Sequence, residues 1–176
     1  MERGYAEPER EGAGGLIFQL WGPWAVAVDF VAWLAIHIGV SVYVARMATD
    51  SFNPHSWLYR ERRWEMAGNI YQKVLRIKSW KHLLPDGAAV SKSGFRKKRL
   101  RSSDPAYIER FVLETCRAEL THWLIFAFAP VFFLWNDWRI GIVMIAYGII
   151  ANVPCIASQR YNRVRLMSVQ SRFVPA

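Results

Sequence analysis

Glu119 and His122 lie three residues apart in the run ETCRAELTHW (114–123), a spacing that puts both on one face of a helix. An imidazole with an ordinary pKa of ~6.5 can take a proton from a hydroxyl near neutral pH, and an adjacent carboxylate can fix its tautomer. The same Glu-x-x-His spacing forms half of a di-iron carboxylate site, but that chemistry needs a second pair, and the sequence has none. Another polar group begins where the apolar run 140–158 stops: Gln159, Arg160, Tyr161, Asn162, Arg163, Val164 and Arg165 follow at once. Guanidinium forks interleaved with amides suit phosphate or carboxylate, whereas a plain positive flank only orients a span. Asn152, inside the apolar run, needs a hydrogen-bond partner if it lies in a membrane. Trp80, Lys81, His82 and Asp86 bring an aromatic plate, a cation, an imidazole and a carboxylate together in a stretch that ends in a Pro-Asp-Gly turn.

Several chemistries lack their signatures. There is no GxSxG elbow, P-loop or dinucleotide fingerprint. The two cysteines, Cys116 and Cys155, form no CxxC motif, so neither a disulfide framework nor a metal site is indicated. His82 and Asp86 stand one residue too close for the His-x4-Asp pattern of soluble-domain glycerolipid acyltransferases. The net charge is +9, yet no nucleic-acid recognition signature accompanies it, and the charge lies beside apolar runs. An anionic membrane surface or an anionic lipid-like substrate fits that placement; nucleic acid does not.

The elements that must position these groups follow from the alternation of apolar and basic blocks. Hydrophobic residues make up 53% of the chain and charged residues 21%, a combination that requires the two to be segregated. Residues 1–23, with Gly12, Gly14 and Gly15 and four glutamates, read as a flexible tail. Residues 24–46 supply about the 20 apolar positions a bilayer requires, interrupted by Asp29 and His37. This run reads as an uncleaved transmembrane helix in which His37 packs against another helix. Residues 47–104 form a basic segment, in which Trp57, Trp64, Tyr71, Val74 and Leu75 fall on one side of an expected interfacial amphipathic helix. Residues 105–158 read as a long helix capped by Asp104 and Pro105, kinked at Pro130, and turned back at WNDW into a third span. Residues 159–176 read as a basic tail. From 46 to 122 there are sixteen Lys and Arg against eight Asp and Glu, which places this segment and the tail in the cytoplasm. The expected architecture is therefore an all-α integral membrane protein with about three transmembrane helices and an interfacial, basic amphipathic cytoplasmic segment. In that topology Glu119 and His122 meet the stretch from Asn152 to Arg165 at one membrane face.

The runs WKHLLPDG (80–87), ETCRAELTHW (114–123) and ANVPCIASQRYNRVRL (151–166) resemble the small membrane glycosyl-4,4'-diaponeurosporenoate acyltransferases of carotenoid synthesis. The resemblance covers about residues 70–166, with Val164 standing where the family pattern has proline, and residues 1–69 show no such match. It implies transfer of a fatty acyl group from an activated donor to a sugar hydroxyl of a glycosylated carotenoid, at the cytoplasmic face of a bacterial cell membrane. In this reading His122, assisted by Glu119, is the base. Arg160, Arg163 and Arg165 bind donor phosphates, Asn152 or Asn162 stabilises the oxyanion, and Trp80, Lys81, Asp86 and Gln159 complete the substrate contacts. No tightly bound cofactor or metal is expected; acyl-CoA or a similar acyl donor is the co-substrate, and no particular protein partner is indicated. Two other readings stand beside it: acylation of a different lipid acceptor, and a non-catalytic membrane scaffold that binds anionic lipid.

Overall fold

The computed structural model describes residues 22–84 and 104–171; the N-terminal tail, Asp86, the basic run 92–101 and the last five residues lie outside the described residues. Three long helices carry the fold: α1 (Pro23–Arg46), α4 (Pro105–Ala127) and α5 (Trp138–Gln170). Two short ones, α2 (Asn69–Lys73) and α3 (Ile77–Trp80), lie between α1 and α4. Each long helix belongs to a segment long and apolar enough to cross a membrane, and among the described residues there is no strand. The chain is an all-α integral membrane protein.

Local chemistry sets the ends of these helices. Pro23 and Pro105 occupy the first turns of α1 and α4, where a missing N–H costs nothing. Asp104 accepts a hydrogen bond from the Ala106 N–H (3.4 Å), and Asp137 accepts one from the Arg139 N–H (2.9 Å), capping α4 and α5. Pro130 does not merely kink α4. The α-helix stops at Ala127 and tightens into a 3-10 stretch at Ala129–Leu134, because the proline has no N–H to continue the ladder. The helix α5 runs for 33 residues, ~50 Å, well beyond a ~30 Å hydrocarbon layer. The polar run from Gln159 is therefore the end of this helix rather than a separate tail. It stays helical because Arg160, Tyr161 and Arg163 are buried against other elements.

The expected amphipathic helix over residues 57–75 does not form. Met66 (φ 51°), Ala67 (φ 53°) and Gly68 (φ 80°) are consecutive left-handed residues, and Arg76 (φ 47°) is another. A right-handed helix cannot continue through that backbone. The segment instead folds as turns, one 3-10 turn (Arg63–Glu65) and α2, with α3 following. Its apolar side chains divide: Tyr71 and Ile77 pack with Ala157 and Tyr161 of α5, while Trp57, Trp64, Val74, Leu75 and Leu83 remain exposed.

Helices α4 and α5 form an antiparallel hairpin, and α1 packs on α4. At Gly148 a Cβ would lie 3.2 Å from the Ala129 Cβ and 3.3 Å from the Phe126 ring, so a glycine permits the close approach of the hairpin arms. Trp33 of α1 reaches both arms: its ring stacks on Phe132 (4.6 Å between centroids), and its Nε1 donates to the Met144 sulfur (3.3 Å). His37 lies one turn further on and meets the Trp33 ring at 5.9 Å, while its buried Nε2 has no hydrogen-bond partner. Both ends of α1 are fastened by polar contacts. Near its start, the buried Asp29 carboxylate accepts from Trp135 Nε1 (2.8 Å) and Asn136 Nδ2 (2.7 Å) in the hairpin turn. At its other end, Arg117 Nη1 donates to the Val44 (2.9 Å) and Met47 (2.8 Å) carbonyls, satisfying groups that a helix end leaves open. The remaining faces of α1 and α5 expose Phe30, Val31, Leu34, Ile142, Val143 and Ile150, as a lipid-facing surface requires. Replacing Asp29 with Ala leaves two buried donors without an acceptor, at about 1–3 kcal/mol each. Thermal unfolding in detergent micelles should show a Tm several degrees lower, and an unchanged Tm would contradict this role.

Candidate active site

Glu119, fully buried on α4, turns away from His122. Its Oε1 accepts from Arg160 Nη1 (2.7 Å) and Trp123 Nε1 (3.2 Å), and its Oε2 accepts a short hydrogen bond from Arg163 Nη2. A second buried carboxylate, Glu65, accepts from Arg160 Nε (2.9 Å) and pairs with Arg160 Nη2 at 2.7 Å. The donors left over go to three consecutive carbonyls: Arg160 to Leu58 (3.0 Å) and Arg60 (3.1 Å), and Arg163 Nε to Tyr59 (3.1 Å). Two carboxylates thus balance two guanidiniums, and the assembly ties the loop over 58–65 to the α4–α5 hairpin. Only Arg163 Nη1 is left buried without a partner in this group of guanidinium nitrogens. These contacts correct two expectations. Glu119 does not fix the tautomer of His122, because a guanidinium gives it a stronger, charge-assisted bond than an imidazole could. Arg160 and Arg163 do not present their forks to donor phosphates, because those forks already hold protein oxygens.

The partner of His122 is Asn152. His122 Nδ1 lies 3.0 Å from Asn152 Oδ1, and Asn152 Nδ2 donates to the Gly148 carbonyl (2.9 Å). A backbone carbonyl can only accept, so Gly148 fixes which way the Asn152 amide points. With Oδ1 facing the ring, the proton of a neutral imidazole sits on Nδ1 and the lone pair on Nε2. The half-buried His122 ring is thereby oriented by an amide instead of a carboxylate. Asn152 is engaged at Oδ1 and through one N–H, so its geometry is that of an orienting group rather than the expected oxyanion donor.

A third cluster joins the short elements to the end of α5. Lys81 Nζ donates to Asn162 Oδ1 (3.1 Å) and stands 5.3 Å from the centre of the Tyr161 ring. Arg165 lies 5.6 Å from the same ring and donates to the Tyr161 hydroxyl (3.0 Å). Burial pushes the Lys81 amine below its ordinary pKa, and the neighbouring charges of Arg165 and Lys78 push it the same way. Trp80 packs against this cluster, and its indole N–H goes to the Leu75 carbonyl (2.6 Å), a contact within the fold. Gln159 is half-buried with an unpartnered Oε1, and Asp86 lies outside the described residues. Among the described residues no group of three His, Cys, Asp or Glu side chains could hold a metal ion. Sequence reasoning missed Glu65, whose partner Arg160 lies 95 residues away and leaves no local signal, and the contacts of Arg117 with the end of α1, about 70 residues away.

A family profile described as glycosyl-4,4'-diaponeurosporenoate acyltransferase matches residues 54–172. The chain belongs to this family. A glycosyl-4,4'-diaponeurosporenoate acyltransferase of Staphylococcus haemolyticus (strain JCSC1435) is 35% identical over 140 residues, covering 76% of this chain and 78% of that protein. One of Staphylococcus aureus (strain N315) is 30% identical over 135 residues, covering 76% and 81%. No solved structure matches. The acyltransferase match begins at 54 instead of 70, so it takes in the 58–65 loop with Glu65, together with Glu119, His122, Asn152, Arg160 and Arg163. The α1 helix precedes the profile's span. Replacing Glu119 with Ala leaves the buried Arg163 without its carboxylate and Arg160 with Glu65 alone, a loss of about 3–5 kcal/mol. The Tm of the micellar protein should fall far more than in His122→Ala, and equal Tm values for the two variants would contradict the division between scaffold and chemistry.

Proposed function

We propose that the protein transfers a fatty acyl group from acyl-CoA or a similar thioester donor to a sugar hydroxyl of a glycosylated carotenoid. The acyl chemistry follows the family, and the acceptor follows the names of its relatives. The observation that supports the mechanism is the chain from the Gly148 carbonyl through Asn152 to His122, which favours a base lone pair on Nε2.

In this reaction His122 Nε2 takes the proton of the acceptor hydroxyl as the oxygen attacks the thioester carbonyl carbon. The Asn152 oxygen accepts the Nδ1–H of the imidazolium that forms and keeps the ring in place. The tetrahedral oxyanion then collapses, the carbon–sulfur bond breaks, and the leaving thiolate receives the proton from Nε2. Glu119 has no step in this sequence; it holds the loop and α5 in register with α4. The apolar faces of α1 and α5 suit an acceptor that approaches through the membrane. The excess of Lys and Arg from 46 to 122 supports a cytoplasmic working face in a bacterial cell membrane.

His122→Ala should lower kcat by about 100-fold to 10,000-fold, the usual contribution of a general base, in a protein with near-normal Tm. Asn152→Leu should lower kcat by roughly threefold to tenfold, matching one hydrogen bond of 0.5–1.5 kcal/mol, and shift the pH–rate profile. Assays of labelled acyl transfer in membranes, with products identified by mass, measure both. Full activity of His122→Ala would overturn the base assignment.

A further inference from the structure

The buried arginines of the scaffold each have a carboxylate: Arg117 pairs with Glu114, Arg160 with Glu65 and Glu119, and Arg163 with Glu119. Among the described residues no such pair is formed by Lys81 or Arg165. The fold nevertheless brings both against the same Tyr161 ring, with Lys78 close enough to weigh on the half-buried Lys81. Holding like charges together without a counter-ion is unfavourable, and an anion placed between them reverses the sign of that interaction. The donors are of the right kind. Lys81 offers an ammonium, the exposed Arg165 a guanidinium fork, and Asn162, whose oxygen takes Lys81, has its amide N–H groups remaining. Asn162 and Arg165 are three residues apart on α5 and share a face, while Lys78 and Lys81 are three apart across α3 and the turn after it.

Distance along α5 narrows the class of ligand. Asn162 follows Asn152, the partner of His122, by ten helical residues, ~15 Å of rise. A phosphate held at Asn162 is therefore separated from the reacting carbonyl by a long arm. That matches a donor whose phosphates and thioester stand at opposite ends, and it does not match a phospholipid ester, where the two are a few bonds apart. Resting on the acyl-transfer reading above, we propose that Lys81, Asn162 and Arg165, with Lys78 beside them, bind the phosphate-bearing end of the acyl donor. The assignment passes from Arg160 and Arg163, which are neutralised, to the cations that no carboxylate among the described residues pairs.

The test is equilibrium binding of non-acylated coenzyme A to the full chain in nanodiscs of neutral lipid, repeated with phosphatidylglycerol present. In the Lys81→Gln, Arg165→Gln double variant, binding should weaken at least tenfold, while Lys81→Arg should retain it. Raised salt should weaken binding to the unaltered protein. Circular dichroism and gel filtration confirm that the variants are folded. If coenzyme A binding is unchanged and retention of phosphatidylglycerol is lost, the phosphate belongs to a lipid headgroup and the donor assignment is overturned. If neither probe is affected, the site itself is overturned. Binding is read without turnover, so a protein that takes coenzyme A through these residues and transfers nothing would sink the proposed reaction while leaving this site intact.

Discussion

The buried pairing of Glu119 with Arg160 and Arg163 is the constraint on which the rest of the architecture depends. Charges removed from water at the end of a helical bundle persist only when each is balanced and hydrogen-bonded. Here Glu65 supplies the second negative charge, and the carbonyls of Leu58, Tyr59 and Arg60 take the donors the carboxylates leave. Because one partner comes from α4, two from α5 and one from the loop, the pairing joins three separate parts of the chain at once. It also fixes the register of the hairpin. His122 lies less than one turn from Glu119 and Asn152 about two turns from Arg160, so the register that makes the ion pairs also brings the imidazole to its amide.

Charge balance divides the polar residues by role. Arg117, Arg160 and Arg163 are held by carboxylates and backbone carbonyls and serve the fold. Asp29 does the same at the opposite end of α1, where two donors of the hairpin turn converge on one carboxylate oxygen. In a membrane such contacts replace the hydrophobic driving force that lipid removes, so the bundle is fastened at its ends and packed through aromatic rings in its middle. The cluster around Tyr161 stands outside these closed networks and keeps cations together without a carboxylate among the described residues, while the His122 ring meets the Asn152 amide.

Long apolar runs, Asp104 before Pro105 and the WNDW turn are local signals, and the three spans and their connection were legible from them. The family was legible too, from short runs, two of which the structure places on α4 and α5. What was not legible is long-range. The spacing of Glu119 and His122 correctly gave them adjacent positions on one helix, but proximity along a helix does not choose a hydrogen-bond partner, and guanidiniums from α5 outcompete the imidazole for that carboxylate. The polar run after Ser158 resembled a tail because its arginines carry charge; their counter-ions, 41 to 95 residues away, are what allow the helix to continue. The apolar spacing over 57–75 fitted a helix, and three successive left-handed residues stop it, a choice of backbone that lets Glu65 reach Arg160.

The central claim is that Asn152, and not Glu119, sets the protonation geometry of His122. The ¹⁵N chemical shifts of the His122 ring report it directly, read in protein labelled at its four histidines and assigned by comparison with His122→Ala. The geometry predicts a neutral ring protonated on Nδ1, with a pyridine-like Nε2 signal that loses its bias when Asn152 is replaced by Leu. A ring protonated on Nε2, or one whose tautomer ignores the loss of Asn152, would contradict it.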